Sequence, residues 1–123
     1  TNYDNEDREF AEKVGVRIIT IEEFFKRGIN DIMDEVKKIV GGHETYLSYD
    51  IDFIDPAFAP GTGTPEVGGP TSFQALEVVR KLKGLNFVGA DIVEVSPPFD
   101  PTGGTAFLGS SLLFEVLCIM LQG

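Results

Sequence analysis

Three observations predict an α/β domain, a three-layer α/β/α arrangement around a parallel sheet. Short apolar runs suited to strands recur near 16–20, 46–51 and 87–95. Stretches with apolar residues at helical spacing lie before, between and after them. Strict alternation of the two implies parallel strands joined by right-handed crossovers, with helices on both faces of the sheet.

The elements follow in order. Asp4 or Asn5 can cap a first helix that places Phe10, Ala11 and Val14 on one face, and Gly15 is set to end it. Residues 16–20 read as a short strand. Thr20 and Glu23 offer a capping box for a helix that Gly28 breaks. Ile29, Ile32, Met33, Val36, Ile39 and Val40 then form a helical stripe, stopped by Gly41 and Gly42. After the 46–51 strand, residues 55–70 are dense in proline and glycine, yet Phe58 and Val67 mark them as an ordered loop of turns. Thr71 and Gln74 offer a second capping box, opening a helix with Leu76, Val79 and Leu82 inward and ending near Gly84. The 87–95 strand stops at Ser96-Pro97-Pro98, and a last helix spans roughly 104–121. That helix is almost continuously apolar, but Glu115 lies within it, which favours a buried helix or subunit contact over a membrane span. Three strands are few for such a sheet, so the pattern resembles part of a larger domain.

Composition excludes several classes. A net charge of −10 cannot neutralise a phosphate backbone, which argues against nucleic acid. The single cysteine, Cys118, allows no internal disulfide and no zinc cluster. With a polar, acidic N-terminal stretch unlike a signal or transit peptide, it leads to an expectation of cytoplasmic location. The glycine-rich run 61–69 lacks the Gly-Lys-Ser/Thr ending of a phosphate loop, and Glu66 within it reads as a turn residue. His43, the only histidine, falls at the amino end of its strand and cannot build a nucleophilic triad there.

The chemistry gathers at the other end. Ligand loops in open α/β sheets lie at the carboxyl ends of strands, which is where Asp50, Asp52, the 55–70 loop, Glu94 and the 96–105 loop fall. On an extended strand Asp50 and Asp52 project to one side, where two carboxylates repel unless a cation lies between them. A pair of divalent ions suits such oxygen donors; turn capping is the alternative. Alternation puts Glu94 on the face of Ile92, where it could accept a planar cation such as a guanidinium or make a structural salt bridge.

Three motifs carry a resemblance. Ser48-Tyr49-Asp50-Ile51-Asp52-Phe53-Ile54-Asp55-Pro56, Ala59-Pro60-Gly61-Thr62-Gly63-Thr64-Pro65-Glu66-Val67-Gly68-Gly69 and Asp91-Ile92-Val93-Glu94-Val95-Ser96-Pro97-Pro98 resemble, in order and spacing, the ureohydrolase (arginase/agmatinase) family. The Thr-Pro-Glu and Val-Ser-Pro-Pro forms are closer to its agmatinase branch. The resemblance implies a hydrolase with two Mn2+ ions, or Ni2+, that releases urea from a small cationic guanidino compound such as agmatine, guanidinobutyrate or guanidine. It implies that Asp50 bridges the two metals, that Asp52 ligates one, that Glu94 holds the guanidinium, and that Thr64 contacts the same site. It also implies a homo-oligomer, a trimer or hexamer.

One departure is large. The family's other metal ligands lie upstream, in histidine-bearing motifs absent here. The 123-residue chain, read as one domain, is therefore expected to be the carboxyl-terminal part of a ureohydrolase and inactive alone. A reading from a different class is a non-catalytic assembly module that uses the acidic edge as a cation site.

Overall fold

The computed structural model describes residues 4–122; residues 1–3 and 123, part of the expected single domain, lie outside the described residues. Helix α1 (Asn5–Val14) opens on a reciprocal capping box between Asp4 and Asp7 and closes on Gly15 at φ +81°. Ala11 is buried as expected, whereas Phe10 and Val14 are exposed, on a face that α1 does not pack inward.

Residues 16–20 do not form the expected strand. A strand exists only through a ladder partner, and this segment pairs with none of the described strands. Its first amide, of Val16, instead donates to the Ala11 carbonyl. Helix α2 (Ile21–Arg27) is capped by the Thr20 hydroxyl, which accepts from the Glu23 amide at 3.1 Å. The second half of that box does not form, because the Glu23 carboxylate is held by Arg17 and Arg27. Arg27 also reaches Asp31 and Glu35 of α3 (Ile29–Val40), tying the two helices together. Ile32 and Met33 of the α3 stripe enter the core; Ile39 is exposed.

Strands β1 (Thr45–Asp50) and β2 (Phe87–Val93) are parallel, with Ser48 opposite Asp91 and Asp50 opposite Val93. A register irregularity at Thr45/Tyr46 turns Val88 outward. The crossover between them carries α4 (Ser72–Arg80), whose Thr71/Gln74 capping box is complete. Helix α5 (Gly104–Gln122) follows β2 and packs against both β2 and α4. A Cβ at Gly109 would stand 3.3 Å from Val95, so glycine there permits the close approach of α5 to the end of the sheet. Arg80 and Glu115 form a two-pronged ion pair, at 2.9 and 3.2 Å, that pins α4 to α5. By length and apolar composition alone α5 could cross a membrane, but it lies against β2 and α4.

The core is one cluster. Leu47, Tyr49, Ala90 and Ile92 meet Ala75, Val79, Leu112 and Val116. The opposite side of the sheet is polar: Asp91 accepts from the Tyr46 and Ser48 hydroxyls at 2.7 and 2.6 Å. Ile51, immediately after β1, is fully buried. Ile51→Val should lower stability by about 0.5–1.5 kcal/mol, read as a lower urea midpoint with unchanged m-value.

Candidate active site at the carboxyl edge of the sheet

Asp50 is the last residue of β1, and Asp52 lies in the 3₁₀ turn Ile51–Phe53 that follows. The two acids therefore do not share an extended strand, as their spacing suggested; the chain turns directly after Asp50. They meet nonetheless, because Asp50 Oδ1 accepts the Asp52 amide at 3.0 Å. Burial pushes the Asp50 carboxyl above its ordinary range, and the neighbouring Asp52 and Glu94 carboxylates push it the same way. Asp50 thus lies within electrostatic reach of both, beside Asp52 in the chain and opposite Val93, the residue before Glu94.

The 55–70 loop closes over this edge. Asp55 accepts the Ala57 and Gly68 amides at 2.9 and 3.0 Å, and its own amide donates to Pro70 at 2.9 Å. It is a turn-forming acid, and the Ala57 and Gly68 amides hold its carboxyl below the usual range. Thr64, which is exposed, donates from Oγ1 to Asp52 Oδ2 at 2.7 Å, so it stands beside one of the two aspartates.

Strand β2 ends at Val93, two residues before the expected boundary, and the reason is Glu94. Its φ of +67° is the one positive value among the described non-glycine residues. An L-residue in that region is strained by roughly 1–2 kcal/mol, and the strand's alternation stops there. Glu94 is exposed at the edge, while two residues on the Ser96 amide donates to the Gly61 carbonyl at 2.7 Å.

Sequence reading missed Asp100. It is buried, and its Oδ2 accepts from both the amide and the hydroxyl of Thr105 at 2.7 Å, while Oδ1 takes the Thr102 hydroxyl at 2.5 Å. Thr105 Oγ1 in turn accepts the Gly61 amide at 2.8 Å. An aspartate two residues before one threonine and five before another, just ahead of a helix, was the available signal. The Thr102 and Thr105 hydrogen bonds hold the Asp100 carboxyl down at about 2. Its contribution to stability is therefore full above pH ~4 and is lost as pH falls from there towards 2. Asp100→Asn should flatten this acid limb, as measured by urea midpoints between pH 6 and pH 2.5.

A cleft of about 500 Å³ opens beside Asp52, lined also by Thr20, Phe53, Glu66 and Val67. His43 is exposed and precedes β1, at the end of the sheet away from the acids. Among the described residues no group of three or more histidine, cysteine or carboxylate side chains is set to hold a metal ion. Asp50 and Asp52 nonetheless fit one as hard oxygen donors, because their clustered charge is what a divalent cation would relieve. They form a partial donor set.

A parallel sheet edge carrying converging carboxylates defines the class, an α/β fold with an acidic site at the strand ends. The Arginase family model matches residues 1–119, and the chain belongs to that family. It is 52% identical over 120 residues to a guanidinopropionase of Pseudomonas aeruginosa, covering 98% of this chain and 38% of that one. It is 51% identical over 106 residues to a mitochondrial agmatinase of Gallus gallus, covering 86% of this chain and 31% of that one. Among solved structures, the proclavaminate amidino hydrolase of Streptomyces clavuligerus superposes with a TM-score of 0.89 at 40% identity, covering 93% of this chain and 39% of that one. The fold is thus the arginase-like α/β fold, and the chain spans less than two fifths of the length of these relatives.

Proposed function

We propose that this chain carries part of the active site of an amidinohydrolase that releases urea from a small guanidino compound. The observation that supports the reading most is the convergence of Asp50, Asp52 and Glu94 at one strand edge, in a chain of the arginase family. Asp50 and Asp52 would supply carboxylate oxygens to a pair of divalent ions, manganese first and nickel as the alternative. When bound, such a pair lowers the pKa of water and so supplies a nucleophile at neutral pH. Thr64 would fix the rotation of Asp52 by occupying Oδ2, which leaves Oδ1 for other partners. Glu94 would pair with the planar guanidinium and orient its carbon. Overall, water adds to that carbon, one C–N bond breaks, and urea and an amine leave. The remaining ligands would come from elsewhere in the whole protein.

Two substrate classes fit: agmatine, an amine, and a guanidino acid such as guanidinobutyrate. Both are supported about equally by the relatives, at 52% identity to a guanidinopropionase and 51% to an agmatinase. A homo-oligomer, trimeric or hexameric, belongs to the same proposal; the exposed Phe107, Phe114 and Leu117 on α5 call for cover from the rest of the protein or from another subunit. Cytoplasmic placement rests on the lone thiol of Cys118.

The test is urea release by the whole protein that contains this sequence, loaded with Mn2+ or Ni2+. Agmatine, 3-guanidinopropionate, 4-guanidinobutyrate and guanidine would be compared by kcat/KM. One class should dominate. Two bound ions per chain with no urea from any of the four would overturn the reading in favour of an assembly module.

A further inference from the structure

Between the acidic edge and α5 lies a relay of hydrogen bonds that neither the acids nor the guanidinium site requires by itself. Asp100 holds Thr105 at both its amide and its hydroxyl. With its proton given to Asp100, the Thr105 oxygen is free to accept, and it takes the Gly61 amide 44 residues away. Gly61 is then clamped from its other side, its carbonyl accepting the Ser96 amide two residues beyond Glu94. Three residues after Gly61, Thr64 donates to Asp52. The relay thus links the backbone that carries Glu94 to the loop that restrains Asp52.

A second observation supports a built contact. A Cβ at Gly61 would stand 2.8 Å from Thr105 Cβ and 2.9 Å from Asp100 Cβ, separations that real side chains do not tolerate. Both partners are buried, Asp100 6% and Thr105 1% exposed. Two hydroxyls and two amides converging on one buried carboxylate fix its rotamer more firmly than a surface turn needs.

We propose that Thr105, its hydroxyl oriented by Asp100, is a positioning residue: it fixes the Gly61 amide, and so holds the 59–64 loop where Thr64 sets the Asp52 carboxylate. This rests on the proposed metal role of Asp52 only for its consequence in catalysis, since the mechanical coupling stands on its own.

The experiment measures the Asp52 carboxyl 13C shift at fixed pH in the whole protein without added metal. Thr64→Val removes the hydrogen bond directly and calibrates the shift. Thr105→Val should reproduce most of that displacement and accelerate exchange of the Gly61 amide; Thr105→Ser, which keeps the hydroxyl, should do neither. Gly61→Ala, which forces the loop off Thr105 by contact alone, should displace the Asp52 signal in the same sense, and it decides the matter if Thr105→Val does not fold. An Asp52 signal unmoved by both Thr105→Val and Gly61→Ala, while Thr64→Val moves it, overturns the proposal and leaves Thr105 a loop-stabilising residue. A separate Mn2+ titration should show Thr105→Val weakening affinity about 10-fold or more, with Thr105→Ser near the parent. If the parent protein binds no Mn2+, the functional reading fails while the 13C measurement still decides the coupling.

Discussion

Asp50→Asn will raise the stability of the metal-free protein at pH 7 and, on the proposed function, reduce urea release by the whole protein at least about 100-fold, more than the loss of a supporting contact costs. The two effects have one cause. Asp50 ends β1 among carboxylates, and both burial and the Asp52 and Glu94 charges hold its pKa above the ordinary value. A group whose folded pKa is raised contributes stability below its unfolded pKa and loses it as pH rises through the folded one. At neutral pH the ionised side chain therefore works against folding. Asparagine keeps an oxygen for the Asp52 amide, now bonded at 3.0 Å, and offers an N–H₂ group to the neighbouring carboxylate. Removing one member of a like-charged pair at a partly exposed site should gain about 0.5–1 kcal/mol. The gain should vanish near pH 3, where the acid is protonated in both states. Thermal melts of parent and variant at pH 7 and pH 3, with and without Mn2+, check each part. On the proposed reading added Mn2+ should stabilise the parent and leave the variant unmoved. A variant less stable than the parent at pH 7 without metal would show that the acids do not strain the edge.

Most of the fold was legible because its signals are local. Capping pairs such as Thr71/Gln74 and stop glycines such as Gly15 act within one turn of chain, and both lie where the sequence put them. The 16–20 segment failed for the opposite reason. Its apolar run satisfies the pattern of a strand, but a strand depends on a partner that no local pattern can supply. Phe10 and Val14 failed likewise: helical spacing predicts a shared face, while burial depends on what packs there.

The site was legible in part. Topology alone placed Asp50, Asp52 and Glu94 at one edge, and the structure gathers them there. Two details escaped because they are backbone events. The turn after Asp50 replaces parity by an amide hydrogen bond as the reason the aspartates meet. The reversal of φ at Glu94 has no signature in residue type, since glutamate has no preference for it. Asp100 escaped in part for a third reason: its threonine partners lie within five residues, but what Thr105 holds, the Gly61 amide, lies 44 residues away and is joined by contact rather than by spacing.

That positive φ makes Glu94 the second position where stability and function should separate. Glycine adopts φ near +67° without the Cβ clash that an L-residue meets, so Glu94→Gly relieves strain of about 1–2 kcal/mol. Part of the gain is offset by the greater freedom of glycine in the unfolded chain, leaving about 0.5–1 kcal/mol in favour of the variant. It also removes a negative charge from the neighbourhood of Asp50, which acts in the same direction. Glu94→Gln keeps the Cβ and the strain and removes only the charge, so its stability should lie between parent and glycine variant. Their effects on turnover should order differently. On the proposed role, both lose the ionic pairing with the guanidinium, at about 3 kcal/mol or roughly 10²-fold in kcat/KM. Glutamine retains one oxygen acceptor, so glycine should be the slower enzyme although it is the more stable protein. Denaturant midpoints and kcat/KM, measured on the same three preparations, test this inverse order. On the proposed role the strain is retained because the carboxylate is used. A glycine variant that is both more stable and fully active would therefore remove Glu94 from the site.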